Sequence, residues 1–212
     1  MNHGIKKDKN PGCAVIVFAK APLPGYAKTR LEPVLGPQGA ARLAARMIEE
    51  TLKRAIAAEV GPVELCCAPD ASHWKFQQAA ALHGIALTAQ GAGDLGERMN
   101  RALTRSLKNH RRVVLIGTDV PDLGPVQLRE AAQALLSQPA VFAPAVDGGY
   151  VLVGLAQPMP LLFRGIAWST RDVMTQTRQR LNKLGVTATE LALMRDVDEA
   201  EDLAYLPREW LD

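Results

Sequence analysis

Cysteine is scarce in this 212-residue chain, and Cys13, Cys66 and Cys67 are odd in number with two of them adjacent. That pattern gives neither a disulfide framework nor a zinc-ligand spacing, so a reduced cytoplasm is the expected location. Aromatic residues make up only 5% and no basic run alternates with them, which excludes a stacking platform for nucleic acid. The net charge of +3, evenly spread, is too small to argue for nucleic acid. Long apolar runs are missing too. Residues 14–19, which follow a polar, lysine-containing opening, are far too few for a signal h-region or a membrane span, and neither export nor a membrane span is expected. The sequence shows no internal repeat, low-complexity tract or linker, and no signal of oligomeric state. At this length one good core fits and two would be a squeeze. The expected organisation is a polar lead over residues 1–12 and a single domain over residues 13–212, with the 48% apolar and 22% charged content of an ordinary globule.

What is present centres on Val113-Val114-Leu115-Ile116-Gly117-Thr118-Asp119-Val120-Pro121-Asp122-Leu123. A short β-branched run ended by Gly, then acidic residues and Pro, reads as a buried strand entering a functional loop. Asp119 then sits at a strand's carboxyl end, where open α/β sheets bind ligands. A carboxylate there can hold Mg²⁺ or Mn²⁺ and, through it, a diphosphate. It could equally cap the helix that follows.

The first strand is expected over residues 14–19. After it comes Lys20-Ala21-Pro22-Leu23-Pro24-Gly25-Tyr26-Ala27-Lys28-Thr29-Arg30, a loop with two prolines, one glycine and three cations. Lys20 and Lys28 supply point charge, Arg30 a bidentate fork, and Gly25 lets the backbone come close, so the loop suits a phosphate group. The segment is not a Walker A motif, because Ala27 and Pro22 stand where that motif needs glycine.

Helical periodicity predicts helices over residues 37–58 and 72–82, the second with Trp74 as a packing residue. Strands are expected over residues 63–67 and 85–88. Cys66 and Cys67 read as core, and His73 and His83 as surface or loop residues. Gly91-Ala92-Gly93-Asp94-Leu95-Gly96 spells G-x-G-x-x-G, but the ribose acid of the dinucleotide fingerprint has no clean counterpart. It reads as a glycine-rich wall of a nucleotide pocket, with Gly93, Asp94 and an inward Arg98 as candidates. Asp94 can also cap a helix whose inner face holds Met99, Leu103 and Leu107. A helix over residues 125–137 and a strand over residues 140–146 follow, leading into Asp147-Gly148-Gly149-Tyr150, which is either a hairpin turn or part of a polar rim. Ser169 or Thr170 is expected to cap a helix over residues 171–184, with a strand near residues 186–191. Near the end, Asp198 reads as the cap of a terminal helix and Asp196 as the better metal ligand.

Six ordered motifs carry a resemblance over most of the chain: Lys20-x-Pro22-x-Pro24-Gly25-x-x-Lys28-Thr29-Arg30-Leu31, Gly93-Asp94-Leu95-Gly96-x-Arg98-Met99, Gly117-Thr118-Asp119-x-Pro121-x-Leu123, Asp147-Gly148-Gly149-Tyr150, Trp168-Ser169-Thr170 and Asp196-x-Asp198-x-x-x-Asp202-Leu203. In these the chain resembles the DUF2064 group of bacterial glycosyltransferase-A-like proteins, described as nucleotide-diphospho-sugar transferases and linked to arsenosugar biosynthesis. The resemblance implies an α/β fold, a three-layer α/β/α arrangement around a mostly parallel mixed sheet. It also implies a nucleotide over the first strand's loop and a divalent metal near an acidic motif. The acidic motif here is Asp119-Val120-Pro121 where typical members of the superfamily carry Asp-x-Asp, and no Thr-Pro follows Asp198. The expected partners are a nucleoside diphosphate sugar and a small-molecule acceptor. Asp119 and Asp196 are expected to hold Mg²⁺ or Mn²⁺, Lys20, Lys28 and Arg30 to neutralise the diphosphate, and Asp147 to contact or deprotonate the acceptor. The alternatives are a nucleotidyltransferase that joins a nucleoside triphosphate to a phosphorylated acceptor, and a nucleotide-binding module without catalysis.

Overall fold

The computed structural model describes residues 10–211. Most of the polar lead therefore lies outside the described residues, although residues 10–12 already belong to the first strand. Seven strands form one sheet: β1 (Asn10–Lys20), β2 (Val63–Ala68), β3 (Ala86–Ala89), β4 (His110–Ile116), β5 (Ala140–Pro144), β6 (Tyr150–Leu155) and β7 (Ala188–Glu190), in the spatial order β3-β2-β1-β4-β6-β5-β7. All neighbouring pairs are parallel except those of β6, which runs antiparallel to both β4 and β5. The expected α/β class with a mostly parallel mixed sheet is what the chain adopts.

The helices are α1 (Glu32–Ala57), α2 (Trp74–His83), α3 (Leu95–Ser106), α4 (Pro125–Ala134) and α5 (Val173–Leu184). Successive side chains on β1 point to opposite faces. Val15, Val17 and Ala19 pack with Ile48 and Leu52 of α1, Phe76 of α2 and Leu128 of α4. Ala14, Ile16 and Phe18 pack with Met99 and Leu103 of α3 and Met174 and Leu181 of α5. A strand buried on both faces has to read as the continuous apolar run seen in the sequence. A third, smaller cluster of Leu31, Leu43, Met47, Val197, Leu203, Leu206 and Trp210 fastens the C-terminal segment to α1.

Several local expectations need correction. Helix α1 begins before Pro37, but Gly36 at φ 68°, ψ 162° breaks it, so the regular helix starts at Pro37 with its ring in the first turn. Trp74 does not pack: it is 60% exposed, beside the His73 ring and 4.3 Å from the Lys75 ammonium, while Phe76 fills the core place. His73 Nδ1 caps α2 by accepting from the Lys75 amide, and His83 meets Glu49 of α1 at 3.0 Å. Helix α4 ends at Ala134, three residues early. Helix α5 begins at Val173, and neither Ser169 nor Thr170 occupies its N-cap, which is Asp172; Thr170 Oγ1 accepts from the Asp172 amide at 3.3 Å and donates to the Ala167 carbonyl. Asp147-Gly148-Gly149 is a hairpin turn joining β5 to β6. No described helix is long and apolar enough to cross a membrane.

Candidate functional site

The strand order reverses between β1 and β4, since β1 leads outward to β2 on one side and β4 to β6 on the other. In open α/β sheets ligands bind at such a reversal, outside the strands' carboxyl ends. The loop after β1 carries Lys20 to Arg30, and the loop after β4 carries Asp119. The two loops meet there.

Lys28 is the meeting point. Its side chain is only 7% exposed, and its ammonium pairs with Asp119 Oδ1 and with Asp198 Oδ1 at 3.0 Å while donating to the Val197 carbonyl at 2.6 Å. Burial alone would lower its pKa, but the charges of Asp119 and Asp198 outweigh burial and raise it. The ammonium is fixed as a cation. Asp119 is held by its main chain as well, because its carbonyl accepts from the Val197 amide at 2.8 Å. From behind, the Arg54 guanidinium donates to the Pro121 carbonyl and lies 5.6 Å from the centre of the Trp210 ring.

Asp198 is therefore not the helix cap expected of it. The N-cap is Glu199, in a capping box with Asp202, whose carboxylate accepts from the amides of Asp198 and Glu199 at 3.1 and 2.9 Å. Val197 is buried in the small C-terminal cluster, while Asp196 and Asp198 on either side of it are only partly buried. The Asp-x-Asp spacing at 196 and 198 was a legible sign that the two carboxylates stand within electrostatic reach of each other.

Asp196 completes the cluster electrostatically. Burial and then the neighbouring charges of Asp147, Asp198 and Asp119 push its carboxyl up to about 6. Asp147 reaches this rim from the β5–β6 turn, where its Oδ1 accepts from the Gly149 amide at 2.8 Å. Gly148 takes φ 92°, and a Cβ there would lie 2.1 Å from the Arg171 carbonyl oxygen, so the turn has to be glycine to dock against the start of α5. The carboxylates of Asp119, Asp147, Asp196 and Asp198 thus gather from three separate segments.

The glycine-rich loop forms another wall. Gln90 is buried and donates to the carbonyls of Ala19 and Cys66, tying the ends of β1 and β2, while its Oε1 accepts from Arg98 Nη1 at 3.1 Å. Arg101 donates to the carbonyls of Gln90 and Ala92. Asp94 and Glu97 form a reciprocal capping box, and Gly93, at φ 105°, leaves the room that Glu97 occupies. The Asp94 carboxylate is committed to that cap. Gly96 lies under the Trp168 indole, which a Cβ would meet at 2.5 Å, and Trp168 stands edge-on to Tyr150. Gln90, Arg54, Arg101 and Asp198 were not singled out as site residues from sequence, since a buried amide and a guanidinium bonded to carbonyls leave no motif.

The remaining cations are more open. Lys20 is exposed at the end of β1. Arg30 meets Glu199 at 3.1 Å with both side chains exposed, and the Gly25 amide donates to Glu32 Oε1 at 2.8 Å. A cavity of about 270 Å³ lies at the opposite end of the sheet, lined by Cys13, Val60 and Arg129 among others, and shares no residue with the acidic cluster. The site is assigned by convergence of charge, not by concavity.

The donor chemistry suits a hard divalent cation, being all carboxylate oxygen. Among the described residues no group of three or more His, Cys, Asp or Glu forms a ready-made cage. Mg²⁺ commonly takes one or two protein carboxylates and completes its shell with phosphate and water, and the residues here fit that mode.

A family model described as an uncharacterized protein conserved in bacteria, DUF2064, matches residues 51–170. No curated protein matches the chain. Among solved structures, a protein from Desulfovibrio desulfuricans G20 provisionally named a nucleotide-diphospho-sugar transferase is 32% identical, with a TM-score of 0.85 over 94% of this chain and 88% of that one. A nucleotidyl transferase from Methanothermobacter is 13% identical, with a TM-score of 0.64 over 95% of this chain and 99% of that one. Rv0371c of Mycobacterium tuberculosis H37Rv, solved with manganese, is 18% identical with a TM-score of 0.57 over 96% of this chain and 99% of that one. The latter two share the fold.

Proposed function

The chain belongs to the DUF2064 family, and from that premise we propose that it transfers a sugar from a nucleoside diphosphate to a small-molecule acceptor. The observation that carries this reading is the pairing of Asp119 and Asp198 with Lys28 at the reversal point of the sheet, with the charges of Asp196 and Asp147 close by. The similarity to the Desulfovibrio protein supports the same class of donor.

The acceptor hydroxyl attacks the sugar's anomeric carbon, the bond from that carbon to the β-phosphate oxygen breaks, and the nucleoside diphosphate leaves. Asp147, on the turn at the rim, takes the acceptor's proton. Lys20 and Arg30 neutralise the charge that grows on the departing diphosphate, and Arg98, anchored by Gln90, borders the nucleotide. Asp119 and Asp196 would hold Mg²⁺ or Mn²⁺, which supplies Lewis-acid stabilisation of the diphosphate when bound. Preorganised charge of this kind is commonly the largest catalytic contribution.

A second reading uses the same crevice for nucleotidyl transfer, and the fold shared with the Methanothermobacter enzyme favours it. A thermal-shift screen of nucleotides and nucleotide sugars, with and without Mn²⁺, tests binding, since ligand at 100 times its Kd stabilises by about 2.7 kcal/mol. Turnover with the best donor then separates the readings. Sugar transfer releases nucleoside diphosphate, nucleotidyl transfer releases pyrophosphate, and a module that only binds releases neither.

A further inference from the structure

An ammonium has three N–H donors, and at Lys28 three acceptors meet it: Asp119 Oδ1, Asp198 Oδ1 and the Val197 carbonyl. No donor is left over for a phosphate oxygen. The side chain is almost wholly enclosed, and its backbone sits in the left-handed region at φ 54°, ψ 37°. A non-glycine residue keeps that conformation only where its surroundings hold it. Lys28 therefore differs in kind from Lys20 and Arg30 on the same loop, which are exposed.

We propose that Lys28 is a positioning residue and not a phosphate ligand: its ammonium is a built-in counter-ion that seats the Asp119 loop beside residues 196–198 before any divalent ion or nucleotide arrives. The three segments it joins are far apart in the chain, with Lys28 and Val197 169 positions apart. The Val197 amide to Asp119 carbonyl bond, the small apolar cluster and, two residues upstream, the backbone bonds of Met194 with Pro144 and Val146 also hold the last of them at the sheet's end. Without the ammonium, Asp119 and Asp198 would face each other as uncompensated like charges.

The inference rests on the proposed diphosphate site only through its response to Mn²⁺. In the full-length protein without metal, Lys28→Met should lower Tm by about 5 °C or more, because it leaves two carboxylates without their partner. Mn²⁺ alone should then raise the Tm of that variant further than it raises the wild type. Metal-free affinity for uridine diphosphate or guanosine diphosphate should stay within about threefold of wild type, a difference below 1 kcal/mol. An unchanged metal-free Tm, or an affinity for both diphosphates about tenfold weaker with Tm intact, overturns the proposal and makes Lys28 a phosphate ligand. If Lys28→Met does not fold, the pair Lys28→Met with Asp198→Asn decides. Removing one charge should recover folding and a higher Tm than the single variant, and a further loss overturns the counter-ion role. If Mn²⁺ shifts neither protein, the metal reading fails while the drop in metal-free Tm still supports the role of Lys28.

Discussion

The acidic rim has two halves that differ in how their charge is met. On the β1–β4 side, Asp119 and Asp198 share the Lys28 ammonium and are fixed by it. On the β5–β6 side, neither Asp147 nor Asp196 forms an ion pair among the described residues, and the Asp196 carboxyl is pushed up to about 6. One half is a finished structural joint. The other is an electrostatic deficit, and under the proposed function it is where a divalent ion would gain most by binding.

The strongest way to break this comparison is to neutralise the half that is paired. Asp119→Asn should slow turnover with the identified donor by about 100-fold or more, the cost of losing one well-placed charged group. Steady-state kinetics near wild type would remove Asp119 from the mechanism. The other half depends on its turn, and Gly148→Ala should destabilise the protein by about 1–3 kcal/mol, because the new Cβ would collide with the Arg171 carbonyl. Urea unfolding measures that loss.

A subtler test concerns pH. The Asp196 carboxyl titrates near 6 in the folded chain and near 4 in the unfolded one, so the folded state binds more protons between those values. Its contribution therefore makes stability fall as pH rises from about 4 to 6, and the cost is complete above that window. Asp196→Asn should melt higher than wild type at pH 7.5 without metal, by about 1 to 2 kcal/mol after allowance for solvent screening of a half-buried group, and the advantage should vanish by pH 4. Thermal melts across that range check both ends. Smallest of all, Asp94→Ala should cost about 1 kcal/mol through its lost capping box, with no change in the pH profile assigned to Asp196. A changed profile would mean that the glycine-rich wall and the acidic rim are one coupled unit.

Much of the architecture was legible because it follows from short-range pattern. The apolar run at residues 14–19, the helical periodicity over residues 37–58 and the Asp94 cap each state their structure locally, and each falls within the element that the pattern indicated, β1 and α1 beginning earlier than expected. Trp74 and Asp198 were misplaced for a shared reason. Identity suggests burial for an indole and capping for an aspartate, but the neighbours that decide come from elsewhere: Lys75 and His73 for the one, Lys28 for the other.

The sequence by itself determined most strands, most helices and the two acidic loops, because hydrophobic periodicity and turn chemistry act over a few residues. Only the tertiary structure decided that Lys28 lies between Asp119 and Asp198, that Asp147 stands near Asp196, and that Gln90 anchors Arg98. Those contacts join residues as many as 170 positions apart. Charge pairing at such separation depends on strand order and on the packing that carries the C-terminal segment back to α1, and neither leaves a periodic trace in the chain.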